Sequence, residues 1–120
     1  MINAMHAMIF AKDADKTRAF LRDVLQLKHV DAGEGWLIFA LPPAEVGVHP
    51  VEDGEQPQHR LYFMCDDIKK TMAELKGRKV EFVGDVQDQG WGLTIPMRVP
   101  GADDIVLYQP RHPSPLKPQK

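Results

Sequence analysis

Apolar and polar positions along this chain switch between two periods, and they do so in the same order twice. Ala4 to Ala11 is a short apolar run ending at a polar turn, which predicts a strand, with Asp13 as the N-cap of a helix reaching about Leu27. In that helix Phe20, Leu21, Val24 and Leu25 share one face while Lys16, Arg18, Arg22 and Asp23 can face water, the pattern of a helix laid on a sheet. Val30 to Ala32 and Trp36 to Leu41, joined by Gly33-Glu34-Gly35, read as two strands. Pro42-Pro43 ends the second of them, and Glu45 to His49 supplies another. The second half follows suit: a strand His59 to Cys65, then a helix from Asp67 to about Lys76 with Ile68, Met72 and Leu75 on one face and Gly77 as its stop. Segments of strand character come next at Val80 to Val83, Leu93 to Val99 and Ile105 to Gln109, with Pro96 pushing the middle one toward an edge or bulge.

The two helix starts are near copies. Asp13-x-x-Lys16-Thr17-x-Ala19-x-Leu21 recurs 54 positions later as Asp67-x-x-Lys70-Thr71-x-Ala73-x-Leu75, five identities in nine, and the agreement of the flanks gives the match its weight. The expected fold class is therefore α+β, one domain over residues 1–110 built from two βαβββ modules, 1–50 and 59–110, whose curved mixed sheet surrounds a cleft. The stretch 50–58 has two prolines, a glycine and three acids without apolar period, and reads as an exposed connector. Residues 111–120 carry Pro113, Pro115 and Pro118 and are expected to be an extended, partly mobile tail outside the core.

Composition narrows the partners. With 120 residues, 43% hydrophobic and 27% charged, the chain can bury a single core. A formal net charge of -2 offers no basic field for phosphates, so nucleic acid is not an expected partner. No apolar run nears the ~18 residues of a membrane span, and the start lacks a charged leader before an apolar block, so the expected location is the cytoplasm. The single cysteine, Cys65, excludes an internal disulfide; its place in the alternating run Leu61 to Cys65 makes it a packed strand residue ahead of a catalytic thiol.

A doubled βαβββ unit of this size resembles the vicinal oxygen chelate superfamily, the glyoxalase, bleomycin-resistance and extradiol dioxygenase proteins. The residues that carry the likeness are His6 seven positions before Asp13, Phe20-Leu21-Arg22-Asp23-Val24-Leu25-x-Leu27, Cys65-Asp66-Asp67-Ile68, Gln89-Gly90-Trp91-Gly92, and Pro100-Gly101 followed by Ile105-Val106-Leu107-Tyr108-Gln109-Pro110. The resemblance spans residues 4 to about 110. It implies a cleft in which enzymes of the group hold a divalent metal with His, Glu or Gln from the first and last strand of each module, leaving open positions for two adjacent substrate oxygens.

Carried over residue by residue, the implied metal set is incomplete. His6 stands at the first ligand position, but the matching position in the second module is Arg60, which has no lone pair to offer. The carboxylate expected four residues before a closing proline is Val106 before Pro110 and Val46 before Pro50. Strand alternation turns His49 and His59 away from a cleft faced by Val46 and Arg60 unless a bulge intervenes.

Two function classes follow. The first is a binder of a small anionic or aromatic molecule without the usual complete metal site, similar to bleomycin-resistance proteins. By alternation its cleft would be lined by Arg60 with Tyr62 and Met64, facing His6, Met8 and Phe10, with Tyr108, Trp36 and Trp91 closing it. The bland alternatives are a surface ion pair between Arg60 and the acidic connector, and ordinary core or dimer packing of the aromatics. The second class is a metal-dependent lyase or extradiol dioxygenase using iron, manganese, nickel or zinc on His6 with His49, His59 or Glu45. The resemblance also implies a homodimer, with the cleft either within one chain or shared by two.

Overall fold

The computed structural model describes residues 6–116 except 46, 49, 51, 52 and 57. Its elements in chain order are α1 (Ala14–Ala19), which continues as a wider π-helical turn over Phe20–Val24, β1 (His29–Asp31), β2 (Leu37–Phe39), β3 (Tyr62–Met64), α2 (Ile68–Gly77), β4 (Gln87–Asp88), β5 (Gly92–Met97) and β6 (Ile105–Pro110). Helices and sheets are thus mixed in an α+β fold. The second module is a βαβββ unit, its strands ordered β3-β6-β5-β4 with β3 parallel to β6 and the other pairs antiparallel.

The repeated motif acquires a physical meaning in the two helix starts. Asp13 and Asp67 each accept a hydrogen bond from the backbone N–H three residues on, Lys16 and Lys70, both at 3.1 Å. Such a cap satisfies one otherwise orphaned donor and stabilises a helix by about 1 kcal/mol. Four positions after each Asp, Thr17 and Thr71 donate their backbone N–H to its carbonyl. The last residues of the repeat, Leu21 and Leu75, are both buried and meet in one cluster with Phe20, Val80, Met97, Val99 and Ile105. The core therefore runs across the two halves of the chain.

A second cluster joins Ile68 of α2 to Ile95 and Leu107 under the sheet, with Cys65 packed beside them. A seam completes the union of the halves. The Pro100-Gly101 turn before β6 docks on the start of α1, where Asp13 N–H donates to the Gly101 carbonyl (3.0 Å) and the buried Thr17 hydroxyl donates to the Pro100 carbonyl (2.8 Å). Gly101 has a φ of +82°, and a Cβ there would overlap the Asp13 carbonyl oxygen, so both conformation and space call for glycine.

Several boundaries depart from the pattern-based expectation. The first helix stops short of Leu27 because Gln26 turns to a φ of 57°, and Arg78 Nη1 closes the helix end by donating to the Val24 carbonyl at 2.8 Å. Residues 6–11 are not a strand, and neither are the described residues of 45–49. Val80 to Val83 contributes a single bridge, Phe82 with Met97. Pro96 does lie inside β5, beyond the end of β4: its carbonyl accepts from Val83 N–H, so its missing donor faces that loop and leaves the β5–β6 ladder whole. The described residues of the connector are exposed. The tail differs most from its expected place outside the core, because Ser114 is buried.

Candidate functional site

Alternation in β3, β5 and β6 gives the second sheet two unlike faces. Leu61, Phe63, Ile95, Met97, Ile105 and Leu107 pack toward the helices, and Gln109 on that side accepts from Ile68 N–H at 2.8 Å, adding a second cap to α2. The opposite face carries Tyr62, Met64, Thr94, Val106 and Tyr108, in register as Tyr62 beside Val106 and Met64 and Thr94 on either side of Tyr108. Tyr62 and Met64 are each 38% exposed, while Tyr108 at their centre is only 7% exposed.

Tyr108 is the hub of a ring cluster. Tyr62 and Trp91 stand edge-on to it with centroids at 5.7 and 5.3 Å, and the His112 ring lies tilted at 5.8 Å. The motif Gln89-Gly90-Trp91-Gly92 explains how the hub fits. A Cβ at Gly92 would overlap the Tyr108 ring and come within 2.7 Å of the Gln109 carbonyl, so glycine makes the bed for that ring. Gly90, at a φ of 84°, donates its N–H to Asp88 and turns the chain to present Trp91. Burial, then the nearby Glu45 and Tyr62, pushes the Tyr108 hydroxyl above its ordinary pKa; it donates weakly to the Trp91 carbonyl at 3.5 Å.

Polar groups of this face come from Glu45 and the tail. Glu45 accepts from the Ser114 hydroxyl on one carboxylate oxygen and lies 3.5 Å from His112 Nε2 with the other. The carboxylate stands between hydroxyl and imidazole, so the imidazole is not placed to take the serine proton; the trio holds the tail and does not build a nucleophile. Thr94 accepts from Gln89 at 3.2 Å. Tail residues were not among the sequence-derived candidates, because a proline-rich segment gives no periodic signal of burial.

Of those candidates, the structure brings together Tyr62, Trp91 and Tyr108, with Glu45 beside them through His112. His6 lies exposed with Nε2 3.1 Å from the Met8 sulfur, and Phe10 is 89% exposed beside Lys12 and the Gly101 turn. Trp36 is half exposed in the β1–β2 hairpin turn, and His59 is exposed. Arg60 meets Glu55 of the connector at 3.7 Å, both side chains largely in water, and a Gln58 amide turned oxygen-first accepts from the same guanidinium. Val106 faces the ring cluster from β6, while Val46 and His49 lie outside the described residues. Cys65 is half buried, and desolvation raises its thiol pKa against a smaller opposing hydrogen bond with Thr71, the behaviour of a packed strand residue.

The donor set implied by the resemblance is not assembled among the described residues. Arg60 is a cation, Val106 is an alkyl group, Glu45 is engaged by Ser114 and His112, and no three His, Cys, Asp or Glu side chains converge where they could hold a metal ion. Among the described residues, this set of side chains does not fit a divalent ion. No helix among the described residues is long and apolar enough to cross a membrane.

A capped helix repeated in each half, followed in the second by a mixed sheet with one helical and one open face, defines a glyoxalase-like fold. The chain belongs to the Glyoxalase/Bleomycin resistance protein/Dioxygenase superfamily, whose family model matches residues 4–104. No curated protein matches the sequence. Among solved structures, a lactoylglutathione lyase from Agrobacterium tumefaciens superposes with a TM-score of 0.63 at 17% identity, covering 89% of this chain and 92% of that one. TnmS3, an antibiotic binding protein from Streptomyces sp. CB03234, superposes with a TM-score of 0.60 at 22% identity over 92% and 99% of the two chains. A superfamily member from Sphaerobacter thermophilus gives 0.62 at 21% identity over 90% and 98%. At these identities the likeness is one of fold.

Proposed function

We propose that this protein binds a small aromatic molecule, anionic in its preferred form, on the open face of the second sheet, without the complete metal site of the superfamily's enzymes. The observation that carries the reading is the ring cluster around Tyr108. Aromatic and thioether groups stand part-exposed on the open face of the sheet, where a flat ligand can pack against Tyr62, Met64 and Trp91. A surface of this chemistry binds by stacking and desolvation and needs no Lewis acid. The likeness to an antibiotic binding protein is in keeping with such a role. Arg60, exposed on the approach to β3, supplies the cation for an anionic group by exchanging its contact with Glu55.

Ligand screening by thermal shift, followed by titration of Tyr62→Ala, tests the reading. The expected result is a ligand that raises the melting temperature of the wild type and loses at least tenfold in affinity in the variant, about 1.4 kcal/mol. Stoichiometric metal after chelator-free purification that disappears in His6→Ala would instead favour the metal-dependent enzyme.

The same reading includes a homodimer. Met8, Phe10, Val30, Trp36 and Val48 of the first module are large apolar side chains left more than half exposed in one copy, and a second copy is the partner that would cover them. Sedimentation velocity at micromolar concentration checks this, and a Phe10→Asp variant is expected to shift the protein to monomer.

A further inference from the structure

We propose that residues 111–116 form a strap that is latched by Glu45 across the edge of the ring cluster and must open to admit a ligand. The inference rests on the binding face just described and adds a gate to it. Contacts at three points define the strap. At its base the Arg111 backbone N–H donates to the Trp91 carbonyl at 2.9 Å, and the Arg111 guanidinium lies 2.8 Å from the Asp88 carboxylate. In its middle the His112 ring covers Tyr108. At its far end Ser114 is buried, bonds to Glu45, and receives the Leu116 N–H at 3.1 Å on its hydroxyl.

Glu45 is 69 residues away in sequence and precedes the connector, so the latch ties the first module to the end of the chain. Its carboxylate is only 16% exposed and is engaged on both oxygens, by Ser114 and His112. The prolines that disrupt regular structure here also limit the number of open conformations, which favours a strap that swings over one that dissolves. Beyond its base the strap pairs with none of the sheet's strands among the described residues, and neither hydrophobic cluster includes it, so opening leaves the core intact. Opened, it uncovers the face of Tyr108 that His112 occupies, the most buried aromatic surface of the cluster.

Two readouts on the full chain test the proposal. The first is trypsin cleavage of the Arg111–His112 bond, which requires the strap to leave the sheet. Glu45→Ala, and Ser114→Ala as the milder second variant, are expected to speed cleavage about fivefold or more, the scale of one lost net hydrogen bond. The second is the affinity for anilinonaphthalenesulfonate, an aromatic anion. It is expected to rise in both latch variants and to fall with Tyr62→Ala in either background. Unchanged cleavage overturns the latch whatever the dye does. Faster cleavage with unchanged, Tyr62-dependent dye affinity overturns the gate. Dye binding indifferent to Tyr62 overturns the binding face, and the gate with it.

Discussion

Replacing Gly101 by alanine puts the joint between the two halves to a quantitative test. At a φ of +82° an alanine costs about 1–2 kcal/mol over glycine in the left-handed region. The added Cβ would also meet the Asp13 carbonyl and lie 3.0 Å from the Thr17 hydroxyl, and this carbonyl is held in place as the cap of α1. Relief requires the turn to back away, which lengthens the Asp13 N–H bond to Gly101 and the Thr17 hydroxyl bond to Pro100, each contributing about 1 kcal/mol. The sum is roughly 3–4 kcal/mol. For 120 residues the unfolding entropy is about 0.25 kcal/mol per degree, so the melting temperature should drop by about 12–16 °C in a calorimetric or circular-dichroism melt. Gly84 serves as the control, since its φ is +69° but nothing lies within 4 Å of a Cβ there; its alanine variant should lose only about 4–8 °C. A Gly101→Ala protein that melts no lower than Gly84→Ala would refute the close docking of the turn on α1.

Thr17→Val removes the donor to the Pro100 carbonyl and should cost about 1–2 kcal/mol; combined with Gly101→Ala the loss should fall short of the sum, because both act on one seam. Gly92→Ala should displace the Tyr108 ring, changing the near-ultraviolet dichroism and weakening dye binding while far-ultraviolet helix signal is kept. The Asp88 carboxyl is held below its ordinary pKa, first by the Gly90 N–H and then by the Arg111 guanidinium. A depressed carboxyl stabilises the fold above its unfolded pKa of about 3.9 and ceases to do so as pH falls through the lower folded value, so the stability gap between wild type and Asp88→Asn should close in acid. With its pKa raised by burial, the Cys65 thiol should react with an aromatic disulfide reagent at about pH 8 more slowly than free cysteine, and at the free rate in denaturant.

Local chemistry was legible in the sequence where a short stretch decides the outcome alone. Asp13 and Asp67 cap their helices as the repeat implies, and the alternation of Tyr62 through Cys65 sorts the faces of β3. Features that depend on a distant partner were not legible. A segment such as His6 to Phe10 has the apolar content of a strand, yet a strand exists only through the ladder its neighbour provides, and the described part of 45–48 gives none. Helix one ends where Arg78, far along the chain, meets its last turn. The burial of Ser114 depends on Glu45, which no local pattern of the tail could announce. For the candidate site, the aromatics of the second module could be read from parity within one sheet, while the contacts of His6, Met8 and Phe10 depend on how the modules approach one another.

Because Leu21 and Leu75 close a single hydrophobic cluster, neither half of this chain owns its interior. Severing the peptide in the exposed stretch 53–56 would leave the pieces clasped by shared side chains, whereas trimming either leucine would loosen both at once. Two matching stretches of sequence thus share one interior.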